Sequence, residues 1–135
     1  MPTLFGWLGN SDLRASADAS GADSGPIWMA LETGAYDCLV LLSDHGQDRT
    51  QNFVAWLRGK FAGAIDVRHA KLRSPTDFED IYVAANEAVS ATLYSSPGLQ
   101  ITFHVSPGTP AMAAVWVLLA KAKYGASLIE TSREH

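Results

Sequence analysis

The sequence predicts an α/β fold, a three-layer sandwich around a mostly parallel central sheet of about five strands. Strand patterns alternate with helix patterns along the whole chain, which is the order that a parallel sheet requires. The segment from Tyr36 to Leu42 ends in a continuous apolar run, as in a strand that helices cover on both faces. The chain has 135 residues, of which 47% are hydrophobic, and is therefore predicted to form one domain spanning 1–135.

Periodicity and stop signals predict the individual elements. Strand patterns cover residues 3–8, 36–42, 64–70, 99–105 and 126–131, and helix patterns cover residues 26–32, 48–62, 78–93 and 109–124. A capping box of Thr76 and Glu79 is predicted to start the third helix, and Thr109 followed by Pro110 the fourth. Residues 9–12 read as a turn, and residues 15–25 as a mobile loop that is either a solvated connector or a lid over a ligand.

Several classes of function lack their sequence motifs. The chain has no Gly-x-Gly for a dinucleotide site, and Gly59-Lys60 is followed by Phe61 rather than by the Ser or Thr of a phosphate-binding loop. The four histidines are far apart in sequence and the single cysteine, Cys38, lies in a strand pattern, so we expect neither a metal site nor a cofactor.

Charge and hydropathy bound the partners. A net charge of -4 argues against a protein that coats nucleic acid through bulk electrostatics. No segment reaches the ~20 apolar residues that a membrane-spanning helix needs. We therefore expect a cytoplasmic protein that meets any nucleotide ligand at a local site.

Polar turns follow the strands, and the carboxyl ends of parallel strands share one edge of a sheet. The amides at the start of the helix after Thr109 favour a phosphate, and Gly108 lets an anion approach the backbone. The predicted ligand-binding residues are Asn10, Ser11, Asp12, Ser43, His104, Ser106, Gly108 and Thr109. Structural roles are the alternative: a helix cap for Thr109, a core position for His104, and ordinary turn formation for residues 10–12.

The last helix pattern is apolar almost all round between residues 112 and 120. This composition predicts burial against the sheet on one side, and it leaves open a contact with a second subunit on the other. The predicted dimer-interface residues are Met112, Val115, Trp116 and Leu119. Packing in the core of the chain itself is the alternative for all four.

The segment Phe103-His-Val-Ser-Pro-Gly-Thr-Pro-Ala-Met112 resembles the signature of CARF domains, the CRISPR-associated Rossmann-fold sensors. Together with Leu8-Gly-Asn-Ser-Asp-Leu-Arg14 and the terminal Leu128-Ile-Glu-Thr-Ser-Arg-Glu-His135, it is most similar to the N-terminal regulatory domain of RtcR-type sigma-54-dependent transcriptional activators. The resemblance implies a Rossmann-like fold. It assigns the ligand turns to residues 9–12 and to His104, Ser106, Gly108 and Thr109.

The same resemblance implies a homodimeric sensor of a nucleotide or RNA-end ligand that controls an attached AAA+ module. DNA and sigma-54 RNA polymerase would then be contacted only through domains absent from this chain, which we expect to be the N-terminal part of a longer regulator. Many relatives carry Lys or Arg directly after the Gly-Thr turn, whereas this chain has Pro110, which favours sensing over catalysis. The alternatives are a ring-nuclease-like enzyme that cleaves cyclic oligoadenylate and a dimerisation module without a ligand.

Overall fold

One sheet organises the computed structural model, which describes residues 2–34 and 36–131. Its strands are β1 (Pro2–Trp7), β2 (Cys38–Ser43), β3 (Ala64–His69), β4 (Gln100–His104) and β5 (Ser127–Ile129). Their spatial order is β3-β2-β1-β4-β5, and every neighbouring pair is parallel. The predicted Rossmann-like α/β sandwich with a parallel sheet is confirmed.

Helices cover both faces of this sheet. They are α1 (Asn10–Ala17), α2 (Gly25–Thr33), α3 (Gln47–Arg58), α4 (Phe78–Ser95) and α5 (Pro110–Leu119), and a π-helical turn at Ala120–Tyr124 extends α5. Because successive strand residues point to opposite faces, Leu4 belongs to a core shared with α1, α2 and α3, whereas Phe5 belongs to a core shared with α4 and α5. One core lies on each face of the sheet, so the chain forms three layers: α1 to α3, the sheet, and α4 with α5.

Helix α1 corrects the prediction for the segment after β1. Residues 10–12 and the first part of the predicted loop fold into this helix, with Gly9 as its N-cap, and the helix packs against α2 and α3. Its apolar contribution is small, since Leu13 and Ala15 are its buried hydrophobic residues. The buried carboxylate of Asp12 adds two polar links, accepting hydrogen bonds from the backbone of Gly9 at 3.0 Å and of Ile27 at 2.9 Å.

Smaller differences concern helix and strand ends. Helix α4 is capped by Asp77, whose carboxylate accepts from the amide of Asp80 at 3.0 Å, so the predicted capping box at Thr76 is wrong by one residue. Strand β5 is limited to three residues. Thr109 and Pro110 start α5 as predicted, and the left-handed Gly125 (φ 62°) follows the π-helical turn.

None of the helices in residues 2–34 and 36–131 combines the length and the hydropathy that a transmembrane span requires.

Candidate functional site

A cleft of about 310 Å³ opens where the chain leaves β1 and β4. The two strands are neighbours, but β1 leads to α1 on one face of the sheet and β4 leads to α5 on the other face. Such a switch point is where open α/β sheets bind ligands. Residues that line the cleft are Leu8, Gly9, Asn10, Ser11, Arg14, Pro26, Asp44, His45, Pro75, Ser106, Pro107, Gly108, Thr109 and Met112.

Two glycines let the β1 and β4 exit loops touch. A Cβ atom on Gly9 would lie 2.7 Å from the amide nitrogen of Gly108, which is too close for any side chain. Gly108 itself has a φ of 86°, a conformation that favours glycine. The backbone starts of α1 and α5 are therefore adjacent, and both present the positive ends of their dipoles to the cleft.

Three predicted residues lie on the α1 side, in different environments. The side chain of Asn10 is exposed, and Ser11 is half-buried with its hydroxyl accepting from Arg14 Nη2 at 3.1 Å. Asp12 is buried and is absent from the cleft lining. Burial raises the pKa of Asp12 to about 6, against the lowering effect of its hydrogen bonds from Ile27 and Gly9. Asp12 thus links α1 to α2 instead of facing a ligand.

On the α5 side, the predicted hydroxyls are engaged within the chain. Thr109 Oγ1 donates to the carbonyl of Pro75 at 2.7 Å and accepts from the amide of Met112 at 3.3 Å. Ser106 Oγ accepts from the amide of Thr131 at 2.6 Å and donates to its carbonyl at 3.0 Å. Both residues line the cleft, and these bonds fix the shape of its wall.

Two predicted ligand residues lie beneath the cleft instead of in it. His104 is fully buried; its Nε2 lies 2.9 Å from Thr131 Oγ1, and its Nδ1 has no hydrogen-bond partner among the described residues. Burial lowers the pKa of His104 to about 4, so the ring is neutral near pH 7. Ser43 is also buried, with its hydroxyl 2.8 Å from Thr50 Oγ1. Neither side chain is accessible to a ligand in this structure, which corrects the prediction of direct contact.

The predicted dimer-interface side chains of α5 also require correction. Met112, Val115, Trp116 and Leu119 are all buried in the core between α5, α4 and the sheet, so they present no surface to a second subunit. The solvent side of α5 carries Val117 and Leu118, each 42% exposed. An all-apolar helix sequence does not distinguish these two faces.

Three ionisable side chains of the cleft lining fell outside the predicted ligand set, namely Arg14, Asp44 and His45. Arg14 is exposed and lies one helical turn after Asn10, where the missed helix brings it back to the cleft. Asp44 and His45 follow β2, and His45 Nε2 lies 3.1 Å from the carbonyl of Leu8. A helix pattern that begins at Asn10 is the sequence signal that places Arg14 one turn further, on the same side of the helix as Asn10. Across the described ranges, the structure gathers no three His, Cys, Asp or Glu side chains that could hold a metal ion.

Comparison with known proteins identifies a shared fold. No family model and no curated protein matches the chain. The solved structure of Enterococcus italicus Csm6 bound to cyclic hexa-2'-fluoro-hexa-dAMP matches with a TM-score of 0.79 at 20% sequence identity, over 98% of this chain and 33% of that chain. The chain thus spans about a third of the length of that protein. The match supports the CARF-like fold implied by the sequence resemblance.

Proposed function

We propose that this chain is a sensory domain that binds a nucleotide or RNA-end ligand in the cleft between the β1 and β4 exits. One observation carries the proposal: the starts of α1 and α5 meet at the switch point of a parallel sheet, where backbone amides and two dipoles favour a phosphate. The Csm6 structure of the same fold holds a cyclic oligonucleotide, which supports the ligand class.

The cleft has a cationic side chain, although no Lys or Arg directly follows Thr109. Arg14 supplies it from α1, and its guanidinium is held beside the Ser11 hydroxyl. An arginine at a cleft edge strengthens phosphate binding through charge-assisted hydrogen bonds. The substitution of Pro110 for a basic residue therefore does not remove positive charge from the site.

Calorimetric titration tests this proposal with three probes: cyclic tetra-adenylate, cyclic hexa-adenylate and a short RNA with a 2′,3′-cyclic phosphate end. We expect at least one of them to bind and Asn10→Ala to weaken that binding about tenfold, as the loss of one well-placed hydrogen bond does. Asn52→Ala, on an exposed site of α3, is the matched control and should bind like the wild type. Absence of binding by all three probes contradicts the proposal.

We also propose that occupancy is relayed to an attached sigma-54 activator module, as in the RtcR-type regulators that the sequence resembles. The coding sequence around the chain tests this role. A Walker-A motif and a sigma-54-contacting loop in the same reading frame support it, whereas a different effector domain contradicts it.

A homodimer is part of the same proposal. The exposed Val117 and Leu118 on the outer face of α5 are the apolar side chains available for it. Light scattering on the purified chain measures the oligomeric state, and Leu118→Lys should shift a dimer to monomer without affecting the buried face of α5.

Cleavage of cyclic oligoadenylate is a second candidate function. Arg14 and His45 line the cleft together. Attack of a ribose 2′-hydroxyl on the adjacent phosphorus forms a 2′,3′-cyclic phosphate and expels the 5′-oxygen of the next nucleotide, which takes up a proton. This step needs an acceptor for the 2′-hydroxyl proton and benefits from a cation near the phosphate. Incubation of each ring with the protein separates the two functions, because an enzyme releases linear products and a sensor returns the ring unchanged.

A further inference from the structure

The turn after β2 holds His45 in a fixed position at the cleft. The backbone amide of His45 donates to the buried Ser43 hydroxyl at 3.1 Å, and that hydroxyl lies 2.8 Å from Thr50 Oγ1. Thr50 in turn donates to the carbonyl of Gly46 at 2.9 Å. This chain of hydroxyls ties the turn to the first helical turn of α3. Ser43 thereby fixes the backbone of His45.

The imidazole of His45 is held at Nε2, which also lies 3.8 Å from Asp44 Oδ1. Its Nε2 lies 3.1 Å from the carbonyl oxygen of Leu8, and a carbonyl oxygen only accepts hydrogen bonds, so Nε2 carries the proton. In the neutral ring, Nδ1 is then an acceptor. Nδ1 has no hydrogen-bond partner within the described residues, and His45 is part of the cleft lining.

The cleft therefore has two chemically different sides. The starts of α1 and α5, with Arg14, offer hydrogen-bond donors and positive charge. The β2 exit offers acceptors, namely His45 Nδ1 and the carboxylate of Asp44, which repels a phosphate. A ligand with its phosphate at the helix starts would direct a hydroxyl or amino group toward His45.

We propose that His45 Nδ1 is a specificity-determining acceptor that recognises an O–H or N–H donor on the ligand of the proposed cleft. Two groups of an adenine ribonucleotide have this chemistry, the ribose 2′-hydroxyl and the exocyclic amine of the base. The inference rests on the proposed function, because it assigns a partner within the same cleft. The inference requires a ligand that carries an O–H or N–H donor in addition to its phosphate.

Binding measurements with three rings test the inference: cyclic tetra-adenylate, its 2′-deoxy form, and the ring with unsubstituted purine in place of adenine. We expect one of the two analogues to bind the wild type about tenfold more weakly, since an acceptor that the bound ligand covers is penalised when its donor is missing. The analogue that loses affinity identifies the hydroxyl or the amine as the group recognised.

Three variants separate recognition from structure. His45→Phe should bind the natural ring and that analogue equally, and His45→Gln, whose amide can both donate to Leu8 and accept from the ligand, should retain the preference. His69→Phe, at an exposed histidine on β3, should behave as the wild type. A preference that persists in His45→Phe, or wild-type binding that ignores both analogues, overturns this inference while the proposed function stands. If none of the three rings binds to the wild type, both this inference and the cyclic tetra-adenylate arm of the proposed function fail.

Discussion

The hydroxyl of Ser106 pairs with both backbone groups of Thr131, accepting from its amide at 2.6 Å and donating to its carbonyl at 3.0 Å. One side chain thereby continues the pairing of β4 with β5 beyond the end of the strands. Thr131 Oγ1 also lies 2.9 Å from His104 Nε2 and 3.4 Å from the carbonyl of Pro26. Ser106 and Pro26 both line the cleft, whereas Thr131 does not. Thr131 therefore joins two parts of the cleft lining.

Ser106→Ala should therefore destabilise the domain. Removal of the hydroxyl leaves two part-buried backbone groups without their partner, which typically costs roughly 1–3 kcal/mol. Urea denaturation followed by tryptophan fluorescence measures the free energy of unfolding. Ser90→Ala, on the exposed face of α4, is the control and should change stability by less than about 0.5 kcal/mol. An unchanged Ser106→Ala would show that the Thr131 contacts contribute nothing to folding.

Asp12 and His104 give opposite pH dependences of stability. The pKa of Asp12 rises from 3.8 to about 6 on folding, so its contribution is fully present below pH 3.8 and is lost as pH rises through 6. The pKa of His104 falls from 6.5 to about 4, so its contribution is present above pH 6.5 and is lost as pH falls through 4. Each corresponds to roughly 3 kcal/mol, and the two nearly cancel between pH 4 and 6.

Asp12→Asn should expose the histidine dependence. Relative to the wild type, its free energy of unfolding should increase by roughly 3 kcal/mol from pH 4 to pH 6.5, because the opposing carboxylate is gone. The variant is also less stable at low pH, since the amide offers one acceptor where Gly9 and Ile27 need two. Denaturation curves at half-unit pH intervals measure the slope, and a slope equal to that of the wild type contradicts the assigned pKa of Asp12.

His104→Gln should produce the reverse trend. Its free energy of unfolding, relative to the wild type, should decrease by roughly 3 kcal/mol between pH 4 and pH 6.5. The glutamine amide can still reach Thr131 Oγ1, so the comparison isolates the titration of the ring. The same denaturation series serves as the measurement, and a stability difference that stays constant with pH would show that the ring titrates normally.

Particular residues explain which parts of the fold and site were predictable. Phe5 and Leu4 alternate between two cores, and Thr109 with Pro110 starts α5, because periodicity and caps act over a few neighbouring residues. Helix α1 was missed because few of its side chains are apolar and part of its anchoring comes from Asp12 binding Ile27, 15 positions away. A buried cap and a ligand contact use the same residue types, so only tertiary structure separates Asp12 from Asn10.

Arg14→Gln should weaken binding of cyclic tetra-adenylate about fivefold or more at low salt. Among the described residues, Arg14 supplies the guanidinium of the cleft lining, and its loss removes a charge-assisted contact to phosphate. Titrations between 50 and 300 mM salt should also give a shallower dependence of log affinity on log salt, by about 0.7 for one lost contact. Arg58→Gln, at the exposed end of α3, should leave both the affinity and the slope unchanged. Equal effects of the two variants would indicate bulk charge rather than a contact.

Gly108→Ala tests the close packing of the cleft backbone, with Gly98→Ala as its matched control. Both glycines have a φ of 86°, so both substitutions should cost about 1–2 kcal/mol of backbone strain.

Gly98 is surrounded by open space, whereas a Cβ on Gly108 would lie 2.5 Å from Met112 Sδ. Met112 is buried and its sulfur accepts from the amide of Thr109 at 3.4 Å, so it cannot move without loosening the start of α5. Denaturation should therefore show Gly108→Ala to be less stable than Gly98→Ala by at least about 1 kcal/mol. Equal losses of stability in the two variants would mean that Met112 moves aside freely and that the cleft lining around Gly108 is deformable.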